Sequence, residues 1–347
     1  MAIQQMDRKH ILAIRFSAVG DAAIAVPVLR TLLQQNPGLK VSVATQSFLK
    51  PVFQTVEGLE VLPADIRGKH KGVKGLYAFY HEIKNYDFDA IADLHGSLRS
   101  RIIKFFFLLS GVRSKTIDKG RREKRALVGG KIFKPIKPTT ERYADVFRSL
   151  GYKVDLNKDV FPAKQTLPPS IDNIIGKDTK KLIGIAPFAF HDSKMYPLDL
   201  MEKVIDAVSK TGDYQLILFG GKKELPELKL LSDTYPNTVY TFGKISFEDE
   251  LKLISNLNLM VSMDSGNAHL AAMQGVKVLT LWGVTHPYAG FYPYKQPVTN
   301  SLLSDREKYP LIPTSVYGNK VPESYKDVMR TIEVEAVINK IVALTKN

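Results

Sequence analysis

Short apolar strands alternate with helical segments through both halves of this 347-residue chain. Strand-like runs are predicted at 10–16, 40–45, 60–62, 90–94 and 114–117, and again at 182–186, 214–219, 239–241, 259–262 and 276–282. Helical runs separate them, which predicts parallel strands whose connecting helices cover both faces of each sheet. We therefore expect an α/β protein with two open parallel sheets.

The length favours two domains, because single cores rarely grow beyond about 250–300 residues. A Pro- and Lys-bearing stretch, 155–180, is predicted to be the linker. We expect one Rossmann-like domain over 1–165, a second over 175–325 and a final amphipathic helix over 326–347. Residues 284–325 are rich in Pro, Tyr and Gly and give no clear assignment.

Composition excludes several kinds of chemistry. The chain has no cysteine, so it has no disulfide framework, thiolate metal site or cysteine nucleophile. Its seven histidines lack metal-ligand spacing. An Asp-x-Asp pattern at 87–89 precedes its strand, which places both acids at the amino edge, away from the expected site. We expect no metal cofactor.

The apolar runs are too short to cross a membrane, which takes roughly 20 residues. Residues 11–14 are also too short for a signal-peptide core. The expected location is the cytoplasm.

Positive charge is concentrated in one segment. The formal net charge is +14, and residues 99–137 carry thirteen Lys or Arg against Asp118 and Glu123. The apolar run within this segment, 105–109, is favoured as the buried side of a helix. Such a concentration indicates an anionic partner: a phosphate-rich substrate, an anionic membrane surface or a nucleic acid.

The segment Asp264-Ser265-Gly266-Asn267-Ala268-His269 lies between a buried strand and a helix of small residues. A Ser-Gly pair there lets backbone amides approach a ligand, and the helix start adds partial positive charge. The segment suits a phosphate-bearing ligand. An ordinary capped helix start is the alternative.

Other loops follow strands and are therefore expected at the same carboxyl edges. They carry Ser17 and Asp21, then His95 and Arg99, then Lys194, and finally Glu224 after Gly220-Gly221. Asp21 suits a catalytic carboxylate or a helix cap, and Glu224 a ribose contact or a first-turn acid. Neither a Gly-x-Gly-x-x-Gly fingerprint nor a P-loop is present.

Four segments of the sequence together resemble glycosyltransferase family 9, the lipopolysaccharide heptosyltransferases. They are 15–21 with Pro27 downstream, 93–100, 264–272 and 282–287. The resemblance implies the GT-B architecture, with two Rossmann-like domains facing a cleft. It also implies that the first domain holds the acceptor, the second holds the nucleotide sugar, and the final helix packs back on the first.

Family 9 enzymes invert the anomeric centre without an essential metal and transfer heptose from an ADP-activated donor to the inner core or Kdo-lipid A. By this resemblance Asp21 is the general base, Lys194 a diphosphate contact and Glu224 a ribose contact. The donor loop is then formed by Asp264, Ser265, Gly266 and His269. We expect Ser17, His95 and Arg99 on the acceptor side.

The expected partners are an ADP-linked sugar and an anionic glycolipid, with a peripheral contact to the cytoplasmic face of an anionic membrane. Three alternatives remain: a related enzyme using another nucleotide sugar, a non-catalytic nucleotide-sugar sensor, and a nucleic-acid-binding protein. The sequence contains no known nucleic-acid recognition module, so no nucleic-acid partner is expected.

Overall fold

The computed structural model describes residues 9–176 and 180–346, which form two compact units. The first unit comprises Met1–Lys119 and Lys137–Val160, and the second comprises Gly120–Ile136 and Phe161–Asn347. The predicted first domain, 1–165, thus contains a segment, 120–136, that packs with the second unit. Residues 177–179 of the predicted linker lie outside the described residues.

The first unit alternates strands and helices as predicted. Its elements up to residue 119 are β1 (His10–Ile14), α1 (Val19–Gln35), β2 (Lys40–Thr45), α2 (Lys50–Gln54), β3 (Leu59–Pro63), α3 (Gly72–Ile83), β4 (Ala90–Asp93), α4 (Leu98–Leu109) and β5 (Arg113–Thr116). The chain then forms α5 (Arg121–Val128) with the second unit and returns for α6 (Thr139–Arg148). The strands form a parallel sheet in the order β3-β2-β1-β4-β5.

The central strands of this sheet are buried along their whole length, as expected where helices cover both faces. Helix α1 continues through Pro27 and packs on α6. At the amino edge, Asp89 accepts the His10 backbone N–H at 2.7 Å and pairs with Lys9 at 3.1 Å. This carboxylate of the Asp-x-Asp pattern therefore fixes the start of β1.

The second unit repeats the alternation. Its elements are α7 (Pro169–Ile175), β6 (Lys181–Ala186), α8 (Leu198–Ser209), β7 (Tyr214–Leu218), α9 (Leu225–Thr234), β8 (Thr238–Tyr240), α10 (Phe247–Asn256), β9 (Leu259–Met263), α11 (Gly266–Met273), β10 (Val278–Trp282), β11 (Ser301–Leu303) and α12 (Val334–Thr345). All ladders are parallel, in the order β11-β10-β9-β6-β7-β8. Strand β11 was not predicted, because only three residues of the Pro- and Tyr-rich segment pair with β10.

The last helix packs within the second unit. Helix α12 contacts α8 and β9, and its Val337 and Ile341 are fully buried in that unit's core. The Tyr214 hydroxyl lies 2.9 Å from the Thr345 hydroxyl, and Lys181 donates to the Thr345 carbonyl at 2.6 Å. The apolar face of this helix therefore completes the core of its own unit, and the expectation that the helix also packs back on the first domain stays a prediction.

Helix α4 departs from the prediction that its apolar run is core. Phe107 is buried at 2% exposure, whereas Phe105 is 55% exposed. Within 9–176 and 180–346, no helix combines the length and apolar character that membrane crossing requires.

Candidate active site

In the first sheet, the strand order reverses between β1 and β4: the chain proceeds outward to β2 on one side and to β5 on the other. The loops that follow these two strands, 15–18 and 94–97, flank this switch point at the carboxyl edge. Open parallel sheets bind their ligands at such a point. Ser17, Asp21 and His95, all predicted site residues, lie at this edge.

Asp21 lies in the first turn of α1, at the third helical position. Its Oδ2 forms an ion pair with the buried Arg15 guanidinium and accepts the Ala18 backbone N–H at 3.4 Å. Arg15 in turn donates to the Leu94 carbonyl at 2.9 Å, which ties the two loops together. The Asp21 side chain remains 30% exposed. The carboxylate is thus oriented by a cation and accessible to a ligand.

Asp93, which the sequence prediction did not include, organises the second loop. This fully buried carboxylate accepts the His95 and Gly96 N–H groups at 3.1 and 2.7 Å. Its other oxygen accepts the Ser100 hydroxyl at 3.0 Å and lies 3.2 Å from Lys104 Nζ. The loop 94–97 is therefore anchored by a buried acid whose two oxygens are both engaged.

His95 packs edge-to-face on Phe16, with ring centroids 5.9 Å apart. Burial, reinforced by the positive charges of Arg15 and Lys119, lowers the pKa of His95 to about 4. Its Nδ1 is buried and has no hydrogen-bond partner within the described residues. His95 is therefore a neutral ring with an uncommitted nitrogen. Arg99 is exposed in the first turn of α4.

In the second sheet, the order reverses between β6 and β9, so the loops after these strands flank the switch point. The first loop carries Lys194 and the second carries Asp264. Lys194 Nζ lies 3.0 Å from Asp264 Oδ2, and these side chains are only 13% and 8% exposed. The Thr285 hydroxyl donates to the same oxygen at 2.9 Å. Thr285 follows β10 and was not among the predicted site residues.

Helix α11 begins beside this ion pair. Ser265 occupies the position before its first turn with extended backbone, and its hydroxyl lies 3.0 Å from that of Ser262. Among the described residues, the Ser265 side chain makes no capping hydrogen bond to the helix. The first-turn amides of α11 are therefore available to an acceptor on a ligand. Ser265 and Gly266 are half-buried, whereas His269 is 7% exposed.

Glu224 directly precedes α9, and its Oε2 accepts the Gly221 N–H at 2.9 Å. This contact shapes the turn after β7. A Cβ at Gly221 would lie 3.0 Å from the same oxygen, so glycine permits the close approach. The carboxylate is half-buried at the carboxyl edge of the second sheet.

A loop that is distant in sequence, around Gly318, packs against the aliphatic part of the Lys194 side chain. Ser193 Oγ donates to the Gly318 carbonyl at 2.6 Å, and the Gly318 N–H donates to Ser315 Oγ at 2.8 Å. A Cβ at Gly318 would lie 2.6 Å from Lys194 Cδ. The prediction missed this loop because it carries no periodic pattern.

Two further ionisable groups of the second unit have shifted pKa values. Burial raises the pKa of Glu250 to about 7, and its Oε2 accepts the Thr241 hydroxyl at 2.9 Å. Burial, with the charge of Arg306, lowers the pKa of His286 to about 4. His286 Nδ1 accepts the Tyr288 N–H at 3.1 Å. Glu250 thus prefers its neutral form at the pH where ordinary glutamates are ionised, and His286 is neutral at neutral pH.

Acids and histidines do not gather into a metal-binding set: no group of three or more such side chains with suitable placement occurs in the described ranges. The cation at the second switch point is Lys194.

Two Rossmann-like parallel α/β units, each with polar loops at its switch point, form the GT-B fold, which solved heptosyltransferase structures share. A family profile described as glycosyltransferase family 9 (heptosyltransferase) matches residues 76–317. The chain belongs to this family and is a glycosyltransferase.

Known proteins similar to this chain agree with that assignment. The lipopolysaccharide core heptosyltransferase OpsX of Haemophilus influenzae is 24% identical, over 96% of each chain. The glycosyl transferase family 9 structure from Veillonella parvula matches with a TM-score of 0.75 and 19% identity, over 98% of each chain. The E. coli heptosyltransferase WaaC with ADP matches with a TM-score of 0.68 and 18% identity, over 96% of this chain and 99% of that one.

The predicted family, the two-sheet GT-B fold and the enzyme class are therefore confirmed. The structure brings Lys194 to Asp264 and places both beside Ser265 and Gly266. It places Ser17, Asp21 and His95 at the edge of the other sheet. The roles of these residues stay predictions.

Proposed function

We propose that this enzyme transfers heptose from an ADP-activated donor to the lipopolysaccharide inner core or Kdo-lipid A, with inversion and without a metal. The observation that carries this proposal is the Lys194–Asp264–Thr285 cluster beside the start of α11. Family membership and relatives such as OpsX, named as a lipopolysaccharide core heptosyltransferase, support the sugar and the acceptor.

The second unit binds the nucleotide sugar in this proposal. The Lys194 ammonium and the amides at Ser265 and Gly266 face the diphosphate, while Glu224 accepts hydrogen bonds from ribose hydroxyls. Charge-assisted hydrogen bonds of this kind contribute roughly 1.5–3 kcal/mol each. They strengthen as negative charge builds on the leaving oxygen, so they assist the reaction without a metal.

The first unit supplies the acceptor side and the base. Asp21 accepts the proton of the acceptor hydroxyl, while the oxygen of that hydroxyl forms a bond to the anomeric carbon. The bond from that carbon to the diphosphate oxygen breaks, and its electron pair leaves with ADP. Attack opposite the leaving group inverts the centre. A positioned base contributes about 10²–10⁴-fold to such a step.

Ser17, His95 and Arg99 contact the acceptor in this scheme. Neutral His95 offers a hydrogen bond without a charge, and Arg99 offers a cation to acceptor phosphates or carboxylates. The basic residues of segment 99–137 are proposed to attract this anionic glycolipid. We further propose that the protein is cytoplasmic, contacts the membrane peripherally and has no nucleic-acid partner.

A thermal-shift panel tests the donor. ADP and ADP-heptose should raise the melting temperature more than UDP- or GDP-sugars, because the site is proposed to select the nucleotide. A larger shift with a UDP- or GDP-sugar would instead favour the related enzyme with another donor. Transfer to Kdo-lipid A should persist in EDTA, and loss of transfer on chelation would contradict the metal-free scheme.

A further inference from the structure

Helix α4 exposes an apolar stripe on the side opposite its core contacts. Ile103 and Phe107 are buried, whereas Leu98, Phe105, Leu108 and Leu109 are 73%, 55%, 62% and 72% exposed. These four positions fall on one side of a helix, at spacings of three, four and seven residues. Scattered exposed apolar side chains are ordinary, but a contiguous stripe marks an interaction surface.

The stripe continues onto the neighbouring helix. Tyr77 of α3 packs edge-to-face on Phe106 of α4, with ring centroids 5.1 Å apart, and Tyr77 is itself 49% exposed. One turn earlier, Val73 is 60% exposed. We call the surface formed by Val73, Tyr77, Phe105, Leu108, Leu109 and Leu98 the α3–α4 face.

The charges around the α3–α4 face are nearly all positive. Exposed Arg99 and Arg101 flank the stripe on α4, and exposed Lys74 lies on α3. The sequence of α4 contains no acid, and the acid of α3, Glu82, is paired with Lys69 at 2.6 Å. Apolar and aromatic side chains bordered by Arg and Lys match the boundary between acyl chains and anionic headgroups.

The stripe also begins at the proposed acceptor site. Leu98 follows directly on the 94–97 loop that carries His95, and α4 runs from there for twelve residues. A surface lying along the stripe therefore lies against the acceptor-side loop. A glycolipid acceptor keeps its acyl chains in a leaflet, so contact at this face would present its sugar end to that loop.

We propose that the α3–α4 face docks on an anionic membrane leaflet. This proposal rests on the proposed function for its glycolipid acceptor, but it concerns a surface whose lipid binding is measured without donor or acceptor. It assigns the contact to α3 and α4 and not to the basic segment 120–136, which packs with the second unit.

Co-sedimentation with vesicles tests the proposal. The variant F105E/L109E places two negative charges on the stripe, and L230E is its control, since Leu230 is 63% exposed on α9 of the second unit. Both variants should keep the wild-type melting temperature because the replaced side chains face solvent. The wild type should bind phosphatidylglycerol-containing vesicles in a salt-sensitive manner and bind phosphatidylcholine vesicles weakly.

F105E/L109E should lower the partition coefficient at least tenfold, whereas L230E should leave it unchanged. R101Q should lower it about fivefold, the typical effect of one basic residue near an anionic surface. Wild-type protein that ignores the anionic vesicles, or an α4 variant that binds as L230E does, would overturn the proposal. So would a wild-type dimer that F105E/L109E converts to monomer, since a second copy would then be the occupant.

Transfer to a delipidated, water-soluble acceptor separates this proposal from the function itself. F105E/L109E should retain wild-type kcat on that acceptor and lose rate only on acceptor embedded in vesicles. Equal losses on both acceptors would place the effect in the active site and contradict the docking role. If the wild type bound vesicles but transferred no sugar to either acceptor, the proposed function would be refuted. The docking role of the α3–α4 face would still stand.

Discussion

The Nζ of Lys194 lies 3.0 Å from Oδ2 of Asp264, across a separation of 70 residues in the chain. The Thr285 hydroxyl donates to the same oxygen at 2.9 Å, so three loops of the second unit converge on one carboxylate. The cation is therefore already oriented before a nucleotide binds. Its side chain has little rotamer freedom left to lose on binding a diphosphate.

Replacing this lysine should weaken nucleotide capture. K194A removes the cation proposed to face the diphosphate, and we expect the Kd for ADP to rise about 10–100-fold, the usual worth of a charge-assisted hydrogen bond. Isothermal titration calorimetry measures it. K210A is the matched control, because Lys210 pairs with exposed Asp206 at 2.7 Å. If the two variants bound ADP equally well, Lys194 would not be a diphosphate contact.

Asp21 should affect turnover and spare donor binding. D21N keeps the shape of the side chain and removes its ability to take a proton, so kcat should fall 10²–10⁴-fold with the Kd for ADP unchanged. D145N is the control, since Asp145 also lies in the first unit and pairs with Arg148 at 2.9 Å. Near wild-type turnover in D21N would rule out the base assignment.

Gly318 should position Lys194. Its φ is +83°, and an added Cβ would lie 2.6 Å from Lys194 Cδ, so G318A must displace the aliphatic stem of the lysine. We expect ADP affinity to fall severalfold, with kcat at saturating donor much less affected. G212A separates this from backbone strain: Gly212 has φ +77°, and a Cβ there would meet no described atom within 4 Å.

A double variant tests whether Gly318 and Lys194 are energetically coupled. If Gly318 acts through Lys194, then G318A should have no further effect on ADP affinity in a K194A background. Additive losses in the double variant would show that Gly318 acts on the nucleotide by another route.

Glu250 should make stability fall as pH rises. Its pKa is raised from 4.5 to about 7 in the folded state, so the unfolded chain releases its proton first. The protonated form is fully present below pH 4.5, and its stabilisation is lost as pH rises through 7. E250Q keeps an acceptor for Thr241 without the charge. It should match the wild type at low pH and exceed it by on the order of 3 kcal/mol at alkaline pH.

Denaturant unfolding at several pH values measures this difference. E248Q is the control on the same helix, because Glu248 is 61% exposed. An E250Q curve parallel to that of the wild type across pH 4.5–7 would contradict the raised pKa.

His286 should affect the pH dependence of stability in the opposite direction, so that stability falls as pH falls. Its pKa is lowered from 6.5 to about 4, so the unfolded chain binds its proton first as pH falls. The stabilisation is present above pH 6.5 and is lost on acidification towards pH 4. H286N keeps an acceptor for the Tyr288 N–H and cannot be protonated, so its melting temperature should fall less over that range. Because the effects of Glu250 and His286 on stability have opposite signs, acidification should favour H286N and disfavour E250Q relative to the wild type; equal slopes in H286N and wild type would refute the effect of His286.

Parallel topology explains why much of the candidate site was predictable. In a parallel sheet every strand delivers its following loop to the same edge, so Lys194 and Asp264 were expected at the same edge without any knowledge of their side-chain packing. Strand positions followed from short apolar runs, and all of them were recovered within a few residues except β11.

The parts that escaped prediction depend on contacts without a sequence period. Gly318 reaches Lys194 from a loop that lacks regular elements, and Thr285 reaches Asp264 only through the position of β10 beside β9. The final helix was predicted from its apolar periodicity, but its packing against α8 could not be read from that pattern. Helix α4 was misjudged because its apolar residues lie on two opposite sides.

A helix with apolar residues on two opposite sides, such as α4, does not have its buried side determined by hydrophobicity alone. In α4 that choice falls to Ser100 and Lys104, which turn towards the buried Asp93 and so bring Phe107 inward. The rotation of α4 about its axis is thus fixed by these polar contacts to Asp93. The exposure of Leu98, Leu108 and Leu109 follows from that orientation. Loss of the Asp93 contacts would therefore remove what fixes which apolar side chains of α4 face the solvent.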